Sequence, residues 1–236
     1  MLPTQRKKHE SLTPSMRDAL LKDGYVVVKD MHSHEALDAA KASILDYISK
    51  EKVIQNSGGV TIPDFIKIPS LAPVTAMKAN PKLEAVLKEL FGGDDFRFCA
   101  HNDIGVNRIV GWHKDKLNGI YESYETVDIW EKAPGGEVHE IVKVLTYLED
   151  HSCDNDGLKL VPGSHLKRQI DPRGYIQLRP GKGDTVIFDQ RITHRGMDHQ
   201  VKDPRILVSF GFGRNNVFTD NFERGTQKRQ DVQNGF

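Results

Sequence analysis

The stretch Pro180-Gly181-Lys182-Gly183-Asp184-Thr185-Val186-Ile187-Phe188-Asp189, running on into Ile192-Thr193-His194-Arg195-Gly196, decides how this chain is read. Proline and glycine mark its first five positions as a turn, and the β-branched and aromatic run that follows has the length and composition of a strand. Short runs of the same kind recur from Phe96 onward, at 96–106, 109–112, 140–148, 158–161, 175–178 and 205–212. Turn pairs separate several of them: Asp156-Gly157, Pro162-Gly163, Pro180-Gly181 and Gly183-Asp184. Many short strands with turn chemistry between them argue a barrel or sandwich, and a jelly-roll barrel is expected here.

Upstream the period changes from strand to helix. Thr13-Pro14 reads as an N-cap followed by proline at the first helical position, and this helix carries Met16, Ala19 and Leu20 before stopping at Gly24. Tyr25 to Val28 is a short strand. A second helix is expected from Ser33 to Lys50, with Leu37, Ala40, Ile44, Leu45 and Ile48 at helical spacing. Glycines and prolines between Gln55 and Pro73 predict an irregular loop, and Asn80-Pro81 opens a third helix that ends at Gly92-Gly93. The fold class is therefore mainly β with α, a barrel supported by N-terminal helices. Residues 1–10 read as a disordered leader, 11–214 as a single domain and 215–236 as a polar C-terminal tail.

The bulk numbers exclude several function classes. Lysine plus arginine and aspartate plus glutamate number 33 each, so the formal net charge is zero, and neither nucleic acid nor an anionic membrane is indicated as a partner. No run of 18 apolar residues suggests a membrane span, and the N-terminus lacks the apolar core of a secretory signal. Cys99 and Cys153 are too few for a disulfide framework and read as free thiols, which makes a cytoplasmic location the expectation.

The candidate chemistry begins at His113-Lys114-Asp115. Side chains at i and i+2 of an extended segment share one side, so one strand can offer an imidazole and a carboxylate to a single metal ion. His194 would supply a third ligand from a distant part of the barrel. Two imidazoles and one carboxylate are the set that holds ferrous iron on one face and leaves the other face open. Arg205, eleven residues after His194, opens the next apolar strand. With a short hairpin between them, its strand is expected beside the one bearing His194, where the guanidinium can grip a carboxylate inside the barrel.

At this point the chain resembles the phytanoyl-CoA dioxygenase-like family of Fe(II)/2-oxoglutarate-dependent dioxygenases. Residues 20–28 (Leu20 to Gly24, then Tyr25 to Val28) look like the family's helix-to-strand signature. Residues 156–165, ending in Pro162-Gly163-Ser164-His165, and 183–195 look like its two later segments, and the likeness runs over roughly 12–214. The resemblance implies a double-stranded β-helix in which His113, Asp115 and His194 bind Fe(II) and Arg205 binds the distal carboxylate of 2-oxoglutarate. It implies consumption of O2 and 2-oxoglutarate, release of succinate and CO2, and hydroxylation of a small-molecule substrate. Related halogenases lack the carboxylate ligand, so Asp115 argues for oxygen insertion.

Further positions are assigned more broadly. Thr146 and Asn102 are candidates to reach the co-substrate. Gly196 stands where many relatives have serine after the His-Arg pair. His165 is expected to be a structural turn residue, and His101, His139, His151 and His199 to be solvated or locally hydrogen-bonded. The segment 116–138, rich in tyrosine and acid, is expected to cover the substrate, with Trp112, Tyr121 and Tyr124 as walls; its acids and aromatics leave an amine, a polar metabolite or an aromatic ring open as substrate. Two other readings remain at this stage: a non-catalytic sensing protein that kept the barrel, and a cupin-type metalloenzyme independent of 2-oxoglutarate. Nothing in the sequence bears on oligomeric state.

Overall fold

The computed structural model describes residues 15–56, 58–150, 157–196 and 204–235. The expected leader at 1–10 and Cys153 lie outside them. The first helix, α1 (Met16–Asp23), is capped by Ser15, whose side chain accepts from the Asp18 N–H; Thr13 and Pro14, expected as cap and first helical residue, lie outside the described residues. Gly24 ends α1 in the left-handed region at φ 83°, and its N–H donates to the Leu20 carbonyl. β1 (Tyr25–Val28) follows, then α2 (His34–Lys50), capped by Ser33 and burying Leu37, Ala40 and Ile44. Leu45, expected on that buried stripe, is exposed on the far side.

The expected loop between Gln55 and Pro73 is a correction. It holds a hairpin, β2 (Ile54–Asn56) and β3 (Gly59–Pro63), and then short 3-10 turns leading into α3 (Ala72–Ala76). Glycine at the turn allows the pairing: a Cβ on Gly59 would lie 2.1 Å from the Val106 carbonyl oxygen. Prolines that read as loop here sit at a strand end and at the starts of short helices, where their missing N–H costs nothing. α4 (Pro81–Phe91) begins at Asn80 and ends at Gly92, as the sequence indicates.

The barrel follows: β4 (Phe96–Val106), β5 (Ile141–Tyr147), β6 (Leu158–Leu160), β7 (Ile176–Leu178), β8 (Thr185–Asp189), β9 (His194–Arg195) and β10 (Ile206–Arg214). A seven-stranded antiparallel sheet has the order β1-β8-β5-β10-β4-β3-β2, and a three-stranded sheet, β7-β6-β9, faces it. The run at 109–112 is not a strand; Gly111 interrupts it, and only His113 pairs, by an isolated bridge to His194.

Alternation along the long strands divides the molecule. Val142, Val144, Val208 and Phe210 face the helices and join Leu37, Ile44, Leu83 and Leu87 in the main core. Leu145, Tyr147, Val186 and Phe188 face inward and pack against Leu158, Leu160 and Ile192 of the small-sheet side. The turn after β6 is tied to the start of the chain: the Gly163 N–H donates to the Asp23 carbonyl at 2.8 Å, His165 Nε2 donates to the Leu21 carbonyl at 3.1 Å, and the His165 ring lies flat against Gly24.

The polar tail expected at 215–236 is also a correction. Residues Val217–Asn234 form α5, capped by the Asn216 side chain, which accepts from the N–H groups of Phe218 and Thr219. Its composition is polar overall, yet Phe218, Phe222, Gly225 and Thr226 recur at helical spacing and are buried. They close a third cluster with Cys99, Leu117, Ile129 and Ile141. Phe218→Ala removes a ring only 2% exposed from this cluster and should cost about 3–5 kcal/mol. A urea midpoint unchanged from wild type would contradict the packing of α5 described above.

Candidate metal centre and cavity

His113 and His194 are held as β-bridge partners: the His113 N–H donates to the His194 carbonyl at 2.9 Å, and the His194 N–H returns the bond at 3.0 Å. Their rings lie 4.2 Å apart, centroid to centroid. Asp115, two residues on, is anchored by its N–H to the Gln190 carbonyl at 2.8 Å. Its carboxylate lies between the rings, with His113 Nε2 3.3 Å from Oδ1 and His194 Nε2 3.4 Å from Oδ2. One ligand atom from each of the three residues fits within 4.8 Å.

The tautomers follow from the partners. His113 Nδ1 donates to the Gly111 carbonyl at 2.7 Å and His194 Nδ1 to the Ile192 carbonyl at 3.0 Å. A carbonyl can only accept, so each Nδ1 carries a proton, and each ring turns its Nε2 toward the carboxylate. Burial pushes His194 down to about 3, against the pull of Asp115, so this ring is neutral and able to ligate. Burial alone would raise Asp115, but the Lys143 ammonium beside it overrides that penalty and holds the carboxyl well below its ordinary range. Lys143 Nζ donates to Asp115 Oδ2 at 2.8 Å. Two imidazoles directing Nε2 toward one ionised carboxylate are a donor set that fits a divalent ion of the iron type.

The three residues open onto a cavity of about 430 Å³. Arg205 and Tyr121 also line it. Arg205 is buried, with its guanidinium carbon 5.2 Å from the centroid of the Tyr147 ring. Its main chain is fastened by Asn107: the Arg205 N–H donates to Asn107 Oδ1 at 2.7 Å, and the Asn107 N–H to the Arg205 carbonyl at 3.0 Å. The expected hairpin neighbourhood is corrected. β10 lies between β4 and β5 in the large sheet, whereas β9 is in the small one, so Arg205 meets His194 across the barrel.

Four other expectations do not hold. Asn102 and Thr146 lie on the opposite face of their strands from the inward-facing Asp103 and Leu145. Asn102 donates to Asp64 Oδ1 and to the Ala100 carbonyl, and Thr146 shares a hydrogen bond with Thr185; both are buried in the helix-side core. The period of two assigns them there once one inward residue is known. Trp112 is not among the cavity-lining residues, and its ring packs at a tilt against Tyr175, 5.4 Å between centroids. Tyr124 packs into the cluster under α5. Of the remaining histidines, His101 and His139 are buried and hydrogen-bonded, and His151 and His199 lie outside the described residues.

Several lining residues were not singled out from the sequence. Lys143 is a charged residue within an otherwise apolar strand, which was the available signal. Arg108 lies two residues beyond the end of β4. Phe222, Thr226 and Arg229 come from α5, whose polar composition concealed it. Arg229 donates to Asp103 Oδ2 at 3.0 Å, so the C-terminal helix is part of the cavity wall.

A jelly-roll barrel with a His-Asp-His centre at the mouth of an inner cavity defines a class of metal-dependent enzyme folds. Within it the particular family is identified by sequence: the family described as phytanoyl-CoA dioxygenase (PhyH) matches residues 20–207, and this chain belongs to it. Among solved structures, the non-haem alpha-ketoglutarate-dependent epimerase SnoN of nogalamycin biosynthesis superposes with a TM-score of 0.66 at 15% identity, covering 84% of this chain and 80% of that one. HygX from Streptomyces hygroscopicus, with nickel and 2-oxoglutarate bound, gives a TM-score of 0.66 at 14% identity over 87% and 88% of the two chains. The carbocyclase SnoK gives 0.66 at 16% over 89% and 88%. These likenesses are of fold. Comparison with curated proteins finds no match in sequence. Among the described residues, no helix is long and apolar enough to cross a membrane.

Away from the centre, buried rings make stability depend on pH. Burial, helped by Lys82, pushes His32 down to about 4; burial, helped by Lys143, pushes His101 to about 3; burial, helped by Arg191, pushes His139 to about 3. Asn80 and Gln190 side-chain amides donate to His32 and His139, bonds that need the neutral ring. These folded pKa values lie below the unfolded value near 6.5, so the unfolded chain binds more protons as the solution is acidified. Stability should be full above about pH 6.5 and fall by on the order of 1–2 kcal/mol per ring between pH 7.5 and 5. Urea midpoints that stay flat across that window would show that these rings titrate normally.

Proposed function

We propose that this protein is an Fe(II)- and 2-oxoglutarate-dependent oxygenase that hydroxylates a small molecule, with release of succinate and CO2. The observation that carries this reading is the convergence, at one cavity, of two Nε2 atoms, an ionised carboxylate and the buried Arg205 guanidinium. Family membership and a neighbour holding nickel and 2-oxoglutarate support it. A cytosolic setting accords with Cys99 being a free, buried thiol.

His113, Asp115 and His194 would hold the iron, which when bound supplies the oxidative chemistry that activates O2 at the expense of 2-oxoglutarate. The chain's own task is to position and to shield. The carbonyls of Gly111 and Ile192 fix both imidazoles with Nε2 toward the metal. Lys143 balances Asp115 and orients its carboxylate. Arg205 would form a two-pronged ion pair with the distal carboxylate of 2-oxoglutarate, braced by the Tyr147 ring beneath it. Tyr121, on the 3-10 turn Gly119–Tyr124, would wall the substrate side of the cavity. With Asp115 occupying its position, no ligand site is vacated for halide, which favours oxygen insertion.

The test measures Fe(II)-dependent conversion of 2-oxoglutarate to succinate, with 18O2 reporting oxygen transfer to product. His113→Ala and Asp115→Ala should each reduce turnover by about 100-fold or more, since such losses follow removal of a metal ligand or its support. Arg205→Gln should raise KM for 2-oxoglutarate by roughly 30–100-fold with a smaller change in kcat, the pattern of a lost binding contact. Full activity in either alanine variant would sink the metal assignment. Product without 18O would sink hydroxylation while keeping the cofactor assignment.

A further inference from the structure

We propose that the substrate of this oxygenase carries an oxyanion, a carboxylate or a phosphate, received by the Arg108 guanidinium on the α5 side of the cavity; the inference rests on the oxygenase reading above. It begins with which cavity charges already have partners. Lys116 is paired with Glu122 at 2.9 Å, and Lys143 with Asp115. Lys114 donates to the carbonyls of Ser164 and Arg191, and Arg229 is paired with Asp103. Arg205 lies over Tyr147, where the co-substrate's distal carboxylate belongs.

Arg108 is what remains. It lines the cavity, makes no hydrogen bond or ion pair with any described residue, and has its Nε buried without a partner. Arg108 is half-buried, and a guanidinium whose Nε is shut away from water without a partner is incompletely satisfied; a ligand anion is a group that completes it. Its side chain lies across Gly105: a Cβ at that glycine would stand 3.2 Å from Arg108 Cδ. Asp103, Asp115 and Arg229 line the same cavity and are the charged groups that act on Arg108. Burial lowers its pKa from the usual arginine value, with both aspartates opposing the shift.

The acids of the covering segment do not offset this. Glu122 is engaged by Lys116, and Asp128 and Glu131 are engaged by Arg168. Among the described residues, Asp103 and Asp115 are the carboxylates that line the cavity, and each already has a cation beside it. The acids of the segment that left an amine open as substrate are thus absent from the cavity lining, although Lys116, Leu117, Asn118 and Tyr121 of the same segment belong to it. A cationic substrate would meet an excess of like charge there, and an anionic one would complete Arg108.

The test loads the purified protein anaerobically with Mn(II) and saturating 2-oxoglutarate, and measures by calorimetry the binding of benzoate, phenyl phosphate and the neutral benzamide. At least one anion should bind about tenfold more tightly than benzamide, the size expected of one charge-assisted contact. The better anion tells carboxylate from phosphate. Arg108→Gln should abolish the preference while leaving 2-oxoglutarate affinity within about twofold of wild type, and Arg108→Lys should restore part of it. Gly105→Ala, which crowds the side chain without removing its charge, should weaken the preference and serves if Arg108→Gln fails to fold. Equal binding of anions and benzamide, or a preference that persists in Arg108→Gln, would overturn the proposal. So would an Arg108→Gln variant whose principal loss is in 2-oxoglutarate affinity. Wild-type protein that binds neither Mn(II) nor 2-oxoglutarate would overturn the oxygenase reading itself, and the inference with it.

Discussion

The two main-chain hydrogen bonds that join His113 to His194 are the constraint on which the rest depends. They make two candidate ligands from distant parts of the chain neighbours in a single β-bridge. The Asp115 N–H, bonded to Gln190, continues the same docking and delivers the carboxylate between the two rings. Side chains alone could not hold this geometry, because each rotates about its own χ angles. Here the backbone sets the distances, and the Nδ1 bonds to carbonyls set the ring orientations. The donor set is therefore arranged by folding rather than by the arrival of an ion.

Such preorganisation concentrates charge, and the surrounding residues answer it. A carboxylate drawn out of water between two imidazole rings is disfavoured without a cation, and Lys143 supplies one. Asp103 and Arg229 form the second buried pair, joining β4 to the last helix. Hydrogen bonds from Ser209 to the Asp103 carbonyl and between Ser209 and His101 occupy the space between them. Arg108 apart, the inner face sets these matched polar pairs beside the apolar side chains of Leu145, Leu158 and Phe222. Matched pairs of this kind fix the shape of a cavity and keep it from collapsing.

Much of this was legible in the sequence where local chemistry and global fold agree. Asn80-Pro81 with Gly92, Ser33 before α2, and the glycine-led run into β8 place their elements without tertiary information. The ligand set was legible because residue type and order are distinctive together. What was missed shares one physical cause. The β2–β3 hairpin, the sheet occupied by Arg205, and the inward or outward facing of Asn102 and Thr146 are set by contacts between segments far apart in the chain. The last helix was missed for the complementary reason: its few apolar residues are diluted by charge, although their spacing is helical. A single inward-facing residue on each strand would have been enough to assign the others.

The joint between the first turn and the Pro162-Gly163-Ser164-His165 segment has a consequence for how the chain can vary. Gly24 has no side chain because the His165 ring occupies the place of its Cβ, 2.5 Å from that position to Nδ1. The same ring reaches back to the Leu21 carbonyl, and the Asp189 N–H binds the Gly24 carbonyl at 2.9 Å. Two stretches separated by about half the chain, each resembling a family signature, are therefore one mechanical part. Neither can drift alone: a bulkier residue at Gly24 demands a smaller partner at position 165, and that loss frees the turn leading from β6 toward the metal centre. Inheritance should carry the pair as a unit, as it does a lock and its key.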